Sequence, residues 1–286
     1  MSITKLIRTT ICLYSEIVYL KESVDFYRKQ GFHFQYFYLM YLKPELKDNS
    51  VYNKVIKMFK GQNDIIIKHV VHRPRINLFD LYENHYKEHK DDWIINCDLD
   101  EFIYSPMKGK SVRDIIKIAN RKGIKAIHVR WRIFGDNNLK ENPGFKVLKV
   151  YTKCAPDSYI RNGNGRSMVK LGSIDFENKS EVIKKTGHRL AVKSGVEYHN
   201  SQLEKITNWS TKTNKKKGII SNDLQNNPLL VCNHYQYKSK EECKMKHNNN
   251  QIKPEIGLTN RYHPHVVKKR NMILNSCENF EILKKI

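Results

Sequence analysis

The sequence predicts an α/β fold with a mostly parallel central sheet and helices on both faces. Three observations carry that expectation. Short apolar runs alternate with amphipathic stretches through the first half of the chain, and the first two of these stretches close at a glycine. The resulting order, β-α-β-α-β-α-β, calls for crossover connections between parallel neighbours. With 286 residues, 40% hydrophobic and 28% charged, the chain is long enough to bury a full core.

Leu6–Leu13 reads as the first strand. Ile17, Leu20, Val24 and Tyr27 then recur at spacings of three and four, which puts them on one face of a helix ending before Gly31. Residues 34–39, rich in aromatics, form a second strand, and 51–59 a second helix ending at Gly61. Residues 64–70, with Ile65-Ile66-Ile67, are the third strand, 76–89 the third helix and 93–97 the fourth strand. Ser111, with Asp114 in the first turn, caps a helix to about residue 122, and 125–134 supply a further strand. From 137 to about 227 the pattern loosens, with turns such as Asn162-Gly163-Asn164-Gly165. Residues 229–232 read as a strand, and Ser239-Lys240-Glu241-Glu242 is a capping box opening a helix. No internal repeat or linker appears, so one domain is expected over residues 1–286.

The formal charge of +23 suits a polyanion partner, because a basic chain attracts nucleic acid or anionic membrane whatever its fold. Only 13 of the 52 basic residues are Arg, however, and the Lys excess travels with Asn and Ile, as drift in an AT-rich coding genome would produce. Both readings of the charge stand. The first 21 residues hold a short apolar stretch broken by Arg8, Glu16 and Lys21, so no signal peptide is expected. No window reaches the roughly 18 consecutive apolar residues of a spanning helix. The chain is therefore expected to be soluble, cytoplasmic or virion-associated. The six cysteines form no C-x-x-C pair and suit free thiols in a reducing compartment.

In open parallel sheets, ligands bind outside the carboxyl ends of the strands. The fourth strand delivers Asp98-Leu99-Asp100-Glu101 to that edge. In an extended segment residues two apart share a side, so Asp98 and Asp100 can address one ligand. Adjacent carboxylates repel, and a hard divalent cation such as Mn²⁺ or Mg²⁺ relieves the repulsion while leaving room for phosphate oxygens. By itself a D-x-D triplet also fits a solvated turn. The apolar strand before it and Phe102 after it favour the metal.

The run Trp-Ile-Ile-Asn-Cys-Asp-Leu-Asp-Glu-Phe-Ile at residues 93–103 resembles the "W-hydrophobic-D-x-D-E-F" signature of family 92 glycosyltransferases and their family 2-like relatives. Three more blocks follow in order. Val129-Arg130-Trp131-Arg132-Ile133-Phe134-Gly135 is similar to the "W-x-x-F-G" strand, and Ser167-Met168-Val169-Lys170 to "K-S-hydrophobic-V-K/R", with Arg166 where Lys is usual. Asn233 to Glu242 is similar to "H-Y-x-x-K-S-x-E-E-F", with Cys243 for Phe. Together they span roughly residues 90–245. The N-terminal half departs: Tyr14-Ser15-Glu16 keeps only the Glu of a "K-N-E" loop, and Tyr41-Leu42-Lys43-Pro44 replaces an acidic turn.

The resemblance implies a GT-A-type nucleotide-diphospho-sugar transferase fold, with residues 1–135 as nucleotide-binding half, 136–245 as acceptor side and 246–286 as a basic extension. It implies inverting transfer of a hexose from a nucleotide sugar, a UDP-sugar first, to a glycan or protein hydroxyl. Asp98, Asp100 and His234 would be metal ligands, with Glu101 and Trp131 beside them. Glu16, Arg166, Lys170 and Lys238 would bind donor or phosphate. Candidate general bases are Asp136, Asp175 and Glu177. The composition and the lack of an anchor suit a bacterium, a protist or a large DNA virus, the last favoured. Two rivals differ in class. A haloacid-dehalogenase-type phosphatase would carry a small residue where Phe102 stands. A basic metal-dependent nuclease or nucleic-acid-binding protein fits the charge and would show salt-sensitive binding to DNA or RNA.

Overall fold

A computed structural model describes residues 4–41, 49–71, 74–144, 146–185, 188–207, 209–210, 219–220, 227–251 and 264–286. In chain order these form β1 (Leu6–Leu13), α1 (Leu20–Lys29), β2 (Phe34–Tyr41), α2 (Asn49–Met58), β3 (Ile65–Val71), α3 (Pro74–Glu88), β4 (Trp93–Asn96) and β5 (Glu101–Tyr104). Next come α4 (Val112–Arg121), β6 (Ala126–Ile133), the single turn α5 (Val147–Val150), β7 (Lys153–Cys154), β8 (Gly165–Lys170), α6 (Lys179–Lys185) and β9 (Tyr198–His199). The chain ends with β10 (Trp209–Ser210), β11 (Ile219–Ile220), β12 (Val231–His234), α7 (Lys240–Gln251), α8 (Pro264–Leu274) and β13 (Cys277–Glu278). Tyr14–Tyr19 and Glu281–Lys285 are 3-10 turns.

The main sheet runs β3-β2-β1-β4-β8-β6-β12-β5, with β9 beside β6. The pairs β3/β2, β2/β1, β1/β4, β6/β12 and β6/β9 are parallel; β4/β8, β8/β6 and β12/β5 are antiparallel. The α/β class with a mostly parallel sheet is thus as the sequence predicts. Two features differ from the reading of the sequence: β8 is inserted antiparallel between β4 and β6, and β5 is a separate strand at the far edge. The strand expected at 229–232 runs instead from Val231 to His234.

Side chains of β4 alternate between the two faces, as the two-residue period of a strand requires. Trp93 and Ile95 join a cluster with Phe26, Tyr27, Val112 and Ile115 of α1 and α4, whereas Ile94 joins Leu78, Phe79, Tyr82 and Val182 of α3 and α6. Each such fully buried side chain contributes about 1.5–3 kcal/mol. Ser111 caps α4 reciprocally: its Oγ accepts from the Asp114 N–H at 3.3 Å and its own N–H donates to the Asp114 carboxylate at 3.0 Å. α1 ends at Gly31, whose φ of +85° suits glycine and where a Cβ would fall 2.7 Å from the Arg113 Cβ.

Candidate active site

β1 and β4 run parallel, and their carboxyl ends lie level: Thr9 is opposite Asn96, and the Cys97 N–H donates to the Thr9 carbonyl at 3.0 Å. The chain then turns through 98–101. The Glu101 N–H donates to the Asp98 carbonyl at 3.2 Å, and the Asp98 N–H donates to Glu101 Oε2 at 3.0 Å. β12 closes the other side, with His234 opposite Glu101 and the Tyr235 N–H donating to the Asp100 carbonyl at 2.8 Å. β8 runs antiparallel to β4 with Met168 opposite Ile95, which carries Arg166 to the same turn. Four chain segments remote in sequence therefore meet at one sheet edge.

Arg166 is the centre of this meeting. It is 4% exposed, its Nε donates to Glu101 Oε2 at 2.5 Å, and its Nη2 pairs with Asp98 Oδ2. Glu101 is fully buried, whereas the Asp98 side chain is 49% exposed. Asp100 lies between a histidine and a lysine: Oδ1 is 3.7 Å from His234 Nε2 and Oδ2 is 3.6 Å from Lys238 Nζ. The Lys238 ammonium sits 4.5 Å from the Tyr19 ring centroid, a favourable cation–π position. Trp131 places its ring 4.4 Å from His234 and 5.2 Å from His188, with the Arg166 guanidinium 5.9 Å away.

Burial pushes the Glu101 carboxyl well above the ordinary carboxylate range; Arg166 opposes the rise, and Asp98 and Asp100 add to it. The other oxygen, Oε1, is buried, has no hydrogen-bond partner among the described residues and stands 3.9 Å from His234 Nδ1. Asp98, Asp100 and Glu101 thus face Arg8, Arg166, Lys238 and the His234 imidazole, so their charges are matched within the site. Among the described residues no group of three or more His, Cys, Asp or Glu side chains is already arranged around a metal position.

Asp98, Asp100, Glu101, Trp131, Arg166, His234 and Lys238, all singled out in the sequence, come together here. Glu16, in the turn Tyr14–Tyr19, and Asp98 both act on the buried Cys12 thiol, whose pKa burial raises; both acids thus flank the end of β1. Lys170 does not join them. It lies opposite Trp93 at the other end of β4, about 13 Å along the strand from Arg166, and pairs with Asp91 at 2.9 Å. Asp175 and Glu177 follow Lys170 on that remote edge, beside Phe176, which packs on Phe79 and Tyr86 of α3. Asp136 lies past the carboxyl end of β6, on the same edge as His234, but its Oδ1 accepts from the Asn138 N–H at 2.9 Å and from Asn275 Nδ2 at 2.8 Å. Leu42, Lys43 and Pro44 lie outside the described residues.

Sequence reasoning missed three supports. Arg8 is wholly buried in β1, its guanidinium 4.0 Å from the Tyr27 ring, with Nη2 donating to the Asp98 carbonyl at 3.3 Å and Nη1 to Gln35 Oε1 at 3.2 Å. A lone arginine inside an apolar strand was the available signal. Tyr19 and Tyr151 both donate to the Glu242 carboxylate, the second at 3.1 Å, fixing the Ser239–Glu242 capping box and with it Lys238. His188 Nδ1 approaches the Gly165 carbonyl at 3.2 Å beside Trp131.

No protein-family model and no curated protein matches this chain. Among solved structures, the mannosyltransferase Ktr4p from S. cerevisiae aligns with a TM-score of 0.29 at 8% identity, over 47% of this chain and 41% of that one. A Bacillus anthracis protein assigned as a glucose-1-phosphate thymidylyltransferase aligns at 0.36 and 10% identity, over 75% and 92%. The 4-diphosphocytidyl-2C-methyl-D-erythritol synthase from Anaerococcus prevotii aligns at 0.32 and 8%, over 59% and 70%. The chain spans less than half of the mannosyltransferase. At these scores the likenesses carry no argument about activity. Among the described residues no helix is long and apolar enough to cross a membrane.

Proposed function

We propose that this chain is a nucleotide-sugar-dependent glycosyltransferase whose donor diphosphate binds at the turn 98–101. The observation that supports this most is the convergence of Asp98, Asp100, Arg166, His234 and Lys238 at the carboxyl edge of the sheet. Ligands of open α/β sheets bind at such an edge. Asp98, Asp100 and His234 would hold Mn²⁺ or Mg²⁺, and the cation would supply neutralisation of the leaving diphosphate. Lys238 and Arg166 add fixed positive charge beside it. Both are nearly excluded from water, so their charge is screened little and acts strongly on a phosphate brought against them.

Arg8 and Tyr27 hold the turn from beneath. Tyr27 donates its hydroxyl to the Glu101 carbonyl at 2.9 Å while accepting from the Ile103 N–H at 3.2 Å, which fixes the backbone that presents both aspartates. Inverting transfer to a hydroxyl needs a carboxylate that accepts the acceptor's proton. Of the three acids considered for that role, Asp136 is the one on this edge. The hexose, the uridine nucleotide and the glycan or protein acceptor are extensions of the same reading, drawn from the sequence resemblance.

The test is a turnover assay with Mn²⁺ and a panel of nucleotide sugars, reading released nucleoside diphosphate. Release from one donor, abolished in Asp100→Asn, supports the reading. Equal background in wild type and variant for every donor defeats it, and salt-sensitive nucleic-acid binding in its place would favour the basic nuclease or nucleic-acid-binding alternative.

A further inference from the structure

We propose that Cys154 and Cys277 form a dithiol pair that closes to a disulfide by exchange with a small-molecule disulfide, fastening the C-terminal segment to the rest of the fold. β13 runs antiparallel to β7 with Cys277 directly opposite Cys154 and Glu278 opposite Lys153. Directly opposed residues of an antiparallel pair have Cα atoms about 4.5–5.5 Å apart and side chains on the same face. Disulfides span Cα separations of about 4.4–6.8 Å, so no backbone rearrangement is needed. Both thiols are free; Cys154 is buried and Cys277 partly exposed. The other four cysteines are buried, and none of those in the sheet has a cysteine opposite it in the ladders.

Exposure assigns the roles. The Cys277 thiolate attacks the small disulfide RSSR, forming a mixed disulfide and releasing RS⁻, which takes a proton from water. The Cys154 thiol then loses its proton to solvent and attacks the Cys277 Sγ, expelling a second RS⁻. Two protein thiols are oxidised, one disulfide is reduced to two RSH, and one S–S bond replaces another. Burial pushes the Cys154 thiol up to about 12, with the neighbouring Arg132 opposing and Cys277 adding to the rise, so the second step is the slow one.

The link would secure a segment with work to do. Glu281, four residues after Cys277, pairs with Arg132 at 2.7 Å and accepts from the Tyr104 hydroxyl at 3.1 Å. Ile282 packs into the main core, and the Asn279 N–H donates to the Thr152 carbonyl at 2.8 Å. Glu281 also lines a cavity of about 850 Å³ with Arg130, Trp131, Arg132 and Asn162. Closure would hold that wall in place.

The experiment treats the folded full-length protein with oxidised glutathione, blocks free thiols with iodoacetamide and maps the peptides by mass spectrometry. Expected is a Cys154–Cys277 linkage about tenfold above any other cysteine pair, since the other four cysteines are all buried from the reagent. It should lag behind a glutathione adduct on Cys277 and vanish in Cys277→Ser; in Cys154→Ser the adduct should persist. A wild-type adduct that never resolves, a different dominant pair, or no reaction at Cys277 overturns the proposal. The wild-type map alone decides between these, even where a variant fails to fold.

Discussion

Replacing Arg166 with Gln should cost stability in a way that depends on pH. The substitution removes the guanidinium that contacts both Asp98 and Glu101. Asp98 is 49% exposed, so water screens its loss and its share is small. Glu101 is wholly buried, and burial holds its carboxyl up to about 8 even with Arg166 opposing, so the carboxylate forms, held by Arg166, only in the alkaline range. Without Arg166 that charge no longer forms, and each pH unit above about 8 costs about 1.36 kcal/mol. Urea unfolding followed by tryptophan fluorescence should therefore show a deficit about 1.4 kcal/mol larger at pH 9 than at pH 7. The double variant Arg166→Gln, Glu101→Gln should show no such growth. A deficit equal at both pH values would mean that Arg166 does not hold the buried carboxylate.

Three further outcomes follow from the same contacts. Tyr19→Phe keeps the ring under Lys238 but removes the hydroxyl that donates to Glu242, and denaturant unfolding should show a loss of about 1.5–3 kcal/mol, the usual range for a bond to a charged group. Burial pushes the His128 pKa down to about 3, with a Gly163 backbone bond opposing, so His128 stays neutral in the fold. A folded pKa below the unfolded value leaves stability intact above about 6.5 and drains it as pH falls towards 3; about 2 kcal/mol should be lost by pH 5, and His128→Gln should flatten that slope in urea titrations. Gly165→Ala would set a Cβ 2.0 Å from the Val129 carbonyl oxygen, so β8 and β6 must part at a cost of about 1–3 kcal/mol, read as a lowered Tm.

The elements that reach the turn were largely legible because each carries a local pattern. The apolar run of β4 stopping at Asp98, and the Ser239–Glu242 box opening α7, depend on neighbours in sequence. β5 was not legible: four residues carry too little periodicity, and the strand exists because β12 pairs with it. The antiparallel entry of β8 between β4 and β6 is likewise a long-range choice, enforced at Gly165, where only a missing side chain allows the strands to close. Lys170 shows the cost of that blindness. It shares a sequence block with Arg166, yet strand direction carries the two to opposite ends of β4. Arg8 was passed over because a charged side chain in a buried strand contradicts the local pattern, and such contradictions mark functional or strained places.

Isothermal titration of uridine diphosphate into the wild-type protein, with and without Mn²⁺, reads diphosphate binding at the turn 98–101. One site that requires the cation is expected, weakened at least about tenfold, or about 1.4 kcal/mol, in both Asp100→Asn and Lys238→Gln. Heats that are the same with and without Mn²⁺ and unchanged in both variants would mean that no diphosphate binds at this turn.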